Sequence, residues 1–116
     1  MKEARVILSP EAEEVYKKLN AEAENNKQSR MILKAVNNKI EFIKSNIHYG
    51  NPIAKSLIPE EYKKKYGTTN LFRIELPAYW RMIYTLTNNE EVEIIAFVLD
   101  IIDHLEYNKK FGYRKQ

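Results

Sequence analysis

The chain has 116 residues, with 19 lysines and arginines against 16 aspartates and glutamates, a net charge of +3 and no cysteine. That length fits one domain with a real core, and the missing cysteines exclude a disulfide framework, thiolate catalysis and a thiolate zinc site. No run approaches the roughly 18 apolar residues of a membrane span, and the N-terminus lacks the basic-then-apolar pattern of a secretory signal, so a cytosolic protein with no membrane partner is expected.

Arg5 to Leu8 is a short apolar stretch that reads as a strand. Ser9-Pro10-Glu11 follows with a capping hydroxyl, a proline at the first helical position and acid in the first turn, so a helix starts there. Ala12, Val15, Tyr16, Leu19 and Ala23 recur at helical spacing until Asn25-Asn26. From about Ser29, the residues Leu33, Val36, Ile40, Ile43 and Ile47 form one apolar stripe by alternating steps of three and four. A tight connection between these helices predicts a helical hairpin. A stripe this short belongs to a core; the alternative is a self-associating face or open strand edge, which would make the protein a homodimer.

Tyr49-Gly50-Asn51-Pro52 ends the second helix. A polar connection then runs to Asn70 through Pro59, where a short helix has room to begin, and through Lys63-Lys64-Lys65. A loop of that length in a small domain points to a functional role. Phe72, Ile74 and Leu76 alternate with Arg73 and Glu75, and Trp80, Met82, Tyr84 and Leu86 alternate with Tyr79, Arg81, Ile83 and Thr85. Period two predicts strands. Thr87 to Glu90 is the expected hairpin turn, and Val92 to Ile102 is apolar enough to be an interior strand covered on both faces. The fold class is α+β in the order β-α-α-β-β-β, with the helical hairpin packed on one face of an antiparallel-rich sheet and the other face left available.

From His104 to Gln116, Lys109, Lys110, Arg114 and Lys115 stand against Glu106, so this stretch carries the charge of the whole chain and residues 1 to 103 are balanced. Cations interleaved with Tyr107 and Tyr113 suit a polyanion, since ammonium and guanidinium groups meet phosphates while tyrosine faces stack on bases. The alternative is a basic, aromatic end that caps the sheet. Lys63, Lys64 and Lys65 read either as a solvated face or as further contacts to RNA. The histidines His48 and His104 are far apart, and Gly50, Gly67 and Gly112 are isolated, so neither a metal nor a nucleotide cofactor is expected.

This order, together with NLFRIELPAYWRMIYTL, VEIIAFVLDIIDHLEY and the basic aromatic end, resembles the RelE/ParE toxin superfamily of prokaryotic toxin-antitoxin modules. It is similar in particular to a branch marked by KSLIPEEYKKKYGTTNL, WRMIYT and DHLEYNKKFGY. The resemblance implies a toxin-like protein of a type II module with an antitoxin protein as partner. In the ribonuclease branch it further implies an endoribonuclease that cuts mRNA at the ribosome, without a metal, by attack of a ribose 2′-hydroxyl on the adjacent phosphate. Such chemistry needs a group to take the 2′ proton, cations to stabilise the phosphorane and a group to protonate the leaving 5′-oxygen.

Carried over by position, Arg73 matches a basic residue on the first hairpin strand, Arg81 the arginine of the second, and His104 the histidine or lysine that ends the last strand. Tyr107 or Tyr113 matches a C-terminal tyrosine that stacks on or orients the base. The alternation independently puts Arg73 and Arg81 on one sheet face. Their alternative is cross-strand pairing with Glu75 or Glu93. For His104 the choice is between a base stabilised by Asp103 and a strand-end histidine bonded to backbone. Glu75 stands where the ribonucleases carry a second basic residue, and Leu105 follows His104 where an arginine is frequent. These departures favour the alternative function, a non-catalytic binding module of the same fold that engages an antitoxin, gyrase or nucleic acid.

Overall fold

The computed structural model describes residues 4–88 and 94–112. Its elements are β1 (Arg5–Leu8), α1 (Pro10–Glu22), α2 (Lys27–Ser45), β2 (Asn51–Pro52), a 3₁₀ turn (Lys55–Leu57), α3 (Glu60–Tyr66), β3 (Phe72–Glu75), β4 (Arg81–Asn88), β5 (Ile94–Ile102) and α4 (His104–Phe111). The class is α+β, and the helical hairpin and interior strand are where the sequence puts them. The order β-α-α-β-β-β lacks β2, α3 and α4. A two-residue strand has no alternation to read, and seven or eight residues of helix hold barely two turns of periodicity. The expected Thr87–Glu90 turn lies partly outside the described residues, and Val92 and Glu93, with the pairing considered for Glu93, lie wholly outside them. Among the described residues no helix is long and apolar enough to cross a membrane.

Ser9 starts α1 and anchors it at once. Its Oγ accepts from Ala12 N at 3.0 Å and donates to the Leu99 carbonyl at 2.7 Å, which ties the β1–α1 junction to β5. Asn26 caps α2 by accepting from Ser29 N, so that helix begins two residues before Ser29. The α2 stripe centres on Ile32, Val36 and Ile43, while Leu33 and Ile40 flank it half-buried. His48 lies beyond the Asn46 C-cap, outside the helix.

The sheet order is β1-β5-β4-β3-β2, with β1 parallel to β5 and the other neighbours antiparallel. One face carries Phe72, Ile74, Met82, Tyr84 and Val98 under α1 and α2. The opposite face, expected to be available, is covered instead. There α3 and α4 lay Tyr62 and Tyr107 over Ile83, Leu99 and Ile102, with Ile58 and Leu71 completing a second core. The reason is in the alternation itself: Ile83, Phe97 and Leu99 share the parity that faces away from the hairpin, and leaving them wet would forgo about 25 cal/mol per Å² of apolar area.

A β-bulge controls that parity. Ile83 pairs with Asp100 and Tyr84 with Val98, so Leu99 is an extra residue in β5. Val98 and Ile101, three apart, thereby face the same hairpin core, and Leu99 and Ile102 face the second core. Asp100 also turns to the second side, where Tyr62 Oη donates to its Oδ2 at 2.6 Å. Lys110 Nζ stands 3.8 Å from the same oxygen and bonds Glu61 at 2.6 Å. Burial raises the Asp100 carboxyl above the usual carboxylate range, with the Tyr62 hydrogen bond and the Lys110 charge opposing it. Burial and the neighbouring Asp100 raise the Tyr62 hydroxyl as well.

Two further polar contacts close the frame. Gly50 N donates to Tyr84 Oη at 2.9 Å, and a Cβ at Gly50 would come within 2.9 Å of that ring, so only glycine admits the buried tyrosine. Asn70 uses its side-chain amide as a short strand, accepting from Leu86 N at 2.8 Å and donating to Leu86 O at 3.0 Å.

Glu11 at the start of α1 accepts from both Lys65 and Tyr66 of α3 and so clips the two helical layers together. Those bonds, the Lys65 one foremost, hold its carboxyl at about 2 instead of 4.5. A depressed carboxyl stabilises the fold above its unfolded value and loses that contribution as pH falls toward the folded one. The difference in melting temperature between wild type and Glu11→Gln should therefore be full above pH 5 and shrink toward zero near pH 2. A difference independent of pH would show that the clip does not depend on the Glu11 charge.

Candidate functional site

The pleat puts Arg73, Glu75 and Arg81 on the α4 side of the sheet, with Glu75 directly opposite Arg81 and Arg73 opposite Ile83. Glu75 lies between the two guanidinium groups: its Oε1 is 3.1 Å from Arg73 Nε and its Oε2 is 3.4 Å from Arg81 Nε. The Nε–H bonds do not point at these oxygens, so the contacts are ones of charge and not hydrogen bonds. The directed bonds go elsewhere. Arg73 Nη1 donates to Tyr107 Oη at 3.0 Å, and Arg81 Nη1 donates to the Tyr79 carbonyl at 2.7 Å. Glu75 is 54% exposed against 18% for Arg81, so an anion arriving from solvent meets the carboxylate first.

Helix α4 supplies the rest. Asp103 Oδ1 accepts from Glu106 N at 2.9 Å, which makes Asp103 the N-cap and His104 the first helical residue. The expected partnership of Asp103 with the imidazole is thus replaced by a helix cap, and His104 opens a helix instead of ending a strand. His104, Tyr107 and Phe111 follow at steps of three and four, which places them along one side of α4. Tyr107 is only 2% exposed, stacks on Phe111 at 4.3 Å, and has the Arg73 and Arg81 guanidinium carbons 5.7 and 5.0 Å from its ring centroid. It is a post for both cations. His104 is exposed, with its ring 5.8 Å from that of Tyr79.

Of the sequence-predicted residues, then, Arg73, Arg81, His104 and Tyr107 come together. Tyr107 is buried, so it does not offer a face for stacking on a base. The lysines divide. Lys110 is engaged by Glu61 and Asp100, Lys63 pairs with Glu60 at 3.5 Å, and Lys65 pairs with Glu11. Lys64 and Lys109 are exposed. Tyr113, Arg114 and Lys115 lie outside the described residues. Among the described residues no three histidine, aspartate or glutamate side chains converge as metal ligands.

Tyr79 is the site residue that the sequence reading assigns only to a strand. It sits in the β3–β4 turn, where Ala78 has φ 59° and ψ 31°, Tyr79 has φ 63°, and Trp80 N donates to the Pro77 carbonyl at 3.3 Å. Two central residues at positive φ are the pattern of a type I′ turn, which favours Asn-Gly. Ala78 and Tyr79 carry Cβ atoms instead, at a steric cost of about 1–2 kcal/mol each. The signal available in the sequence was Pro77 interrupting the alternation. No protein-family model, curated protein or solved structure matches this chain.

Relieving the turn should show in stability. Ala78→Gly should raise stability by about 0.5–1 kcal/mol, a few degrees in thermal unfolding, because glycine accepts positive φ without the Cβ clash. A lowered melting temperature would show that the turn is not strained at this position.

Proposed function

We propose that the chain is a toxin-like protein of the RelE/ParE kind that cleaves RNA without a metal, by attack of a ribose 2′-hydroxyl on the adjacent phosphate. The observation that carries this reading is the meeting of Arg73 and Arg81, from two strands, around the small anion Glu75, with the His104 ring against Tyr79, whose carbonyl Arg81 binds. A carboxylate between two guanidinium groups occupies the kind of place a phosphate takes, since both offer oxygens to the same pair of cations. Substrate phosphate displaces Glu75 or shares the arginines with it.

The reaction then needs little more than these groups. The 2′-oxygen bonds to phosphorus, the bond from phosphorus to the 5′-oxygen breaks, and the products are a 2′,3′-cyclic phosphate and a 5′-hydroxyl. Arg73 and Arg81 stabilise the charge that builds on the phosphorane. One proton leaves the 2′-hydroxyl and one reaches the 5′-oxygen; His104 and Glu75 are the side chains to which this reading gives those two transfers. Tyr107 serves by fixing both guanidinium groups. Exposed Lys64 and Lys109 add phosphate contacts, and the family likeness supplies the expected partners, an antitoxin and the ribosome.

A second reading has its own support. Because Glu75 already lies between the arginines, the same surface suits a non-catalytic module that engages an antitoxin, gyrase or nucleic acid through exchange of that ion pair.

Catalysis separates the two. Cleavage should survive a chelator and leave a cyclic phosphate, and His104→Ala should lower the rate by about 10²–10⁴-fold with RNA still bound. Arg81→Ala should lower the rate more than the affinity, since stabilising the phosphorane is a transition-state interaction. Wild type inert on naked RNA and on translating ribosomes, with the fold intact, would leave the binding module as the function. A charge test probes the anion's role: Glu75→Gln should tighten RNA binding and steepen the dependence of log Kd on log salt by about 0.7, the increment of one further phosphate contact on a single strand. An unchanged slope would mean that phosphate does not enter between the arginines.

A further inference from the structure

We propose that Tyr79 is the base-stacking surface of this site, holding a nucleobase beside the phosphate that Arg73 and Arg81 bind; the inference rests on the RNA reading above. Tyr79 is 74% exposed, more than any other large hydrophobic side chain among the described residues. Its ring therefore contributes little to either core. Its backbone is also in the wrong conformation for its residue type, at φ 63° in a turn that glycine or asparagine would make more easily. A bulky ring kept exposed, on a backbone that disfavours it, fits a ligand better than it fits the fold.

The placement is specific as well. Arg81 Nη1 binds the Tyr79 carbonyl at 2.7 Å, so the turn and the phosphate-binding guanidinium are joined directly. The His104 ring lies 5.8 Å away in an edge-to-face arrangement, an interplanar angle of 67°, which steadies the tyrosine by one contact and leaves most of the ring to solvent. The described tail tyrosine, Tyr107, is buried beneath the arginines and does not offer a face. Tyr79 is thus an exposed aromatic ring two residues from a cation that binds its own carbonyl, the arrangement by which single-stranded nucleic acid is held: phosphate on a cation, base on a ring. Because every base has a π-face, the recognition should tolerate sequence and require an unpaired base.

The test uses the full chain carrying His104→Ala to prevent turnover, a single-stranded RNA oligomer labelled for anisotropy, and a set of the same oligomer with one abasic position moved along it. Tyr79→Asn should melt at a higher temperature than its parent, because asparagine tolerates positive φ, yet bind RNA about tenfold more weakly. Tyr79→Trp should bind within about twofold of the parent. In the abasic series the parent should lose about tenfold at one position, and Tyr79→Asn should be indifferent there. A residue with a purely structural role would lower the melting temperature and leave the abasic profile unchanged. Undiminished binding by Tyr79→Asn, or an abasic penalty that persists in it, overturns the stacking role while the RNA reading stands. A parent that binds no RNA overturns both.

Discussion

The single extra residue in β5 is the constraint on which the rest of the molecule depends. β5 is apolar at every position but Asp100 and lies between β1 and β4, so both of its faces must be covered, and a strand offers side chains to the two faces strictly in turn. Leu99 breaks that turn-taking. Were Leu99 paired in regular register, Asp100 would stand opposite Met82 and face the α1/α2 core, at a cost of several kcal/mol for an unpaired buried charge. With the bulge Asp100 reaches Tyr62 and Lys110, and Ile101 goes to the α1/α2 core while Ile102 goes to the second. Beyond the bulge the chain leaves β5 at Ile102, and α4 begins at His104.

That exit is what builds the site. Asp103 caps α4, and from this start one side of the helix delivers His104 to the surface and Tyr107 to the arginines. The cations themselves come from β3 and β4 and are held near each other by Glu75 between them and Tyr107 beside them. Exposed ion pairs contribute little to stability, typically under about 1 kcal/mol each, so this cluster is not what keeps the sheet together. Its consequence is positional: two guanidinium groups are kept side by side against the Tyr107 ring.

The β3–β4 turn departs from local preference in the same neighbourhood. Elsewhere the chain uses the expected residues, glycine at the left-handed C-caps Gly67 and Gly112 and capping side chains at Ser9, Asn26 and Asp103. Only Ala78 and Tyr79 adopt positive φ without being glycine among the described residues, and they adjoin Arg81 and His104. Local rules are followed where the structure is scaffold and broken where the charged side chains meet.

What the sequence determined by itself are the features written in short range. The cap Ser9 and the spacing of Val36 and Ile43 define the hairpin helices, and the alternation of Phe72, Ile74, Met82 and Tyr84 defines β3 and β4 and puts Arg73 and Arg81 on one face. Periodicity carries those because each residue need only agree with neighbours a few positions away. Tertiary structure decided what depends on distant partners. Tyr107 looks like a tail aromatic until α4 docks and buries it, Lys110 looks like a free cation until Glu61 and Asp100 surround it, and Asp103 looks like a partner for His104 until it caps the helix. A strand such as β5, apolar at every position but Asp100, does not show by itself which residue is the bulge, since Leu99 is as apolar as Val98 before it and Ile101 after the aspartate. Only the competition between two cores for its side chains, and the need of Asp100 for polar company, selects the register that the protein adopts.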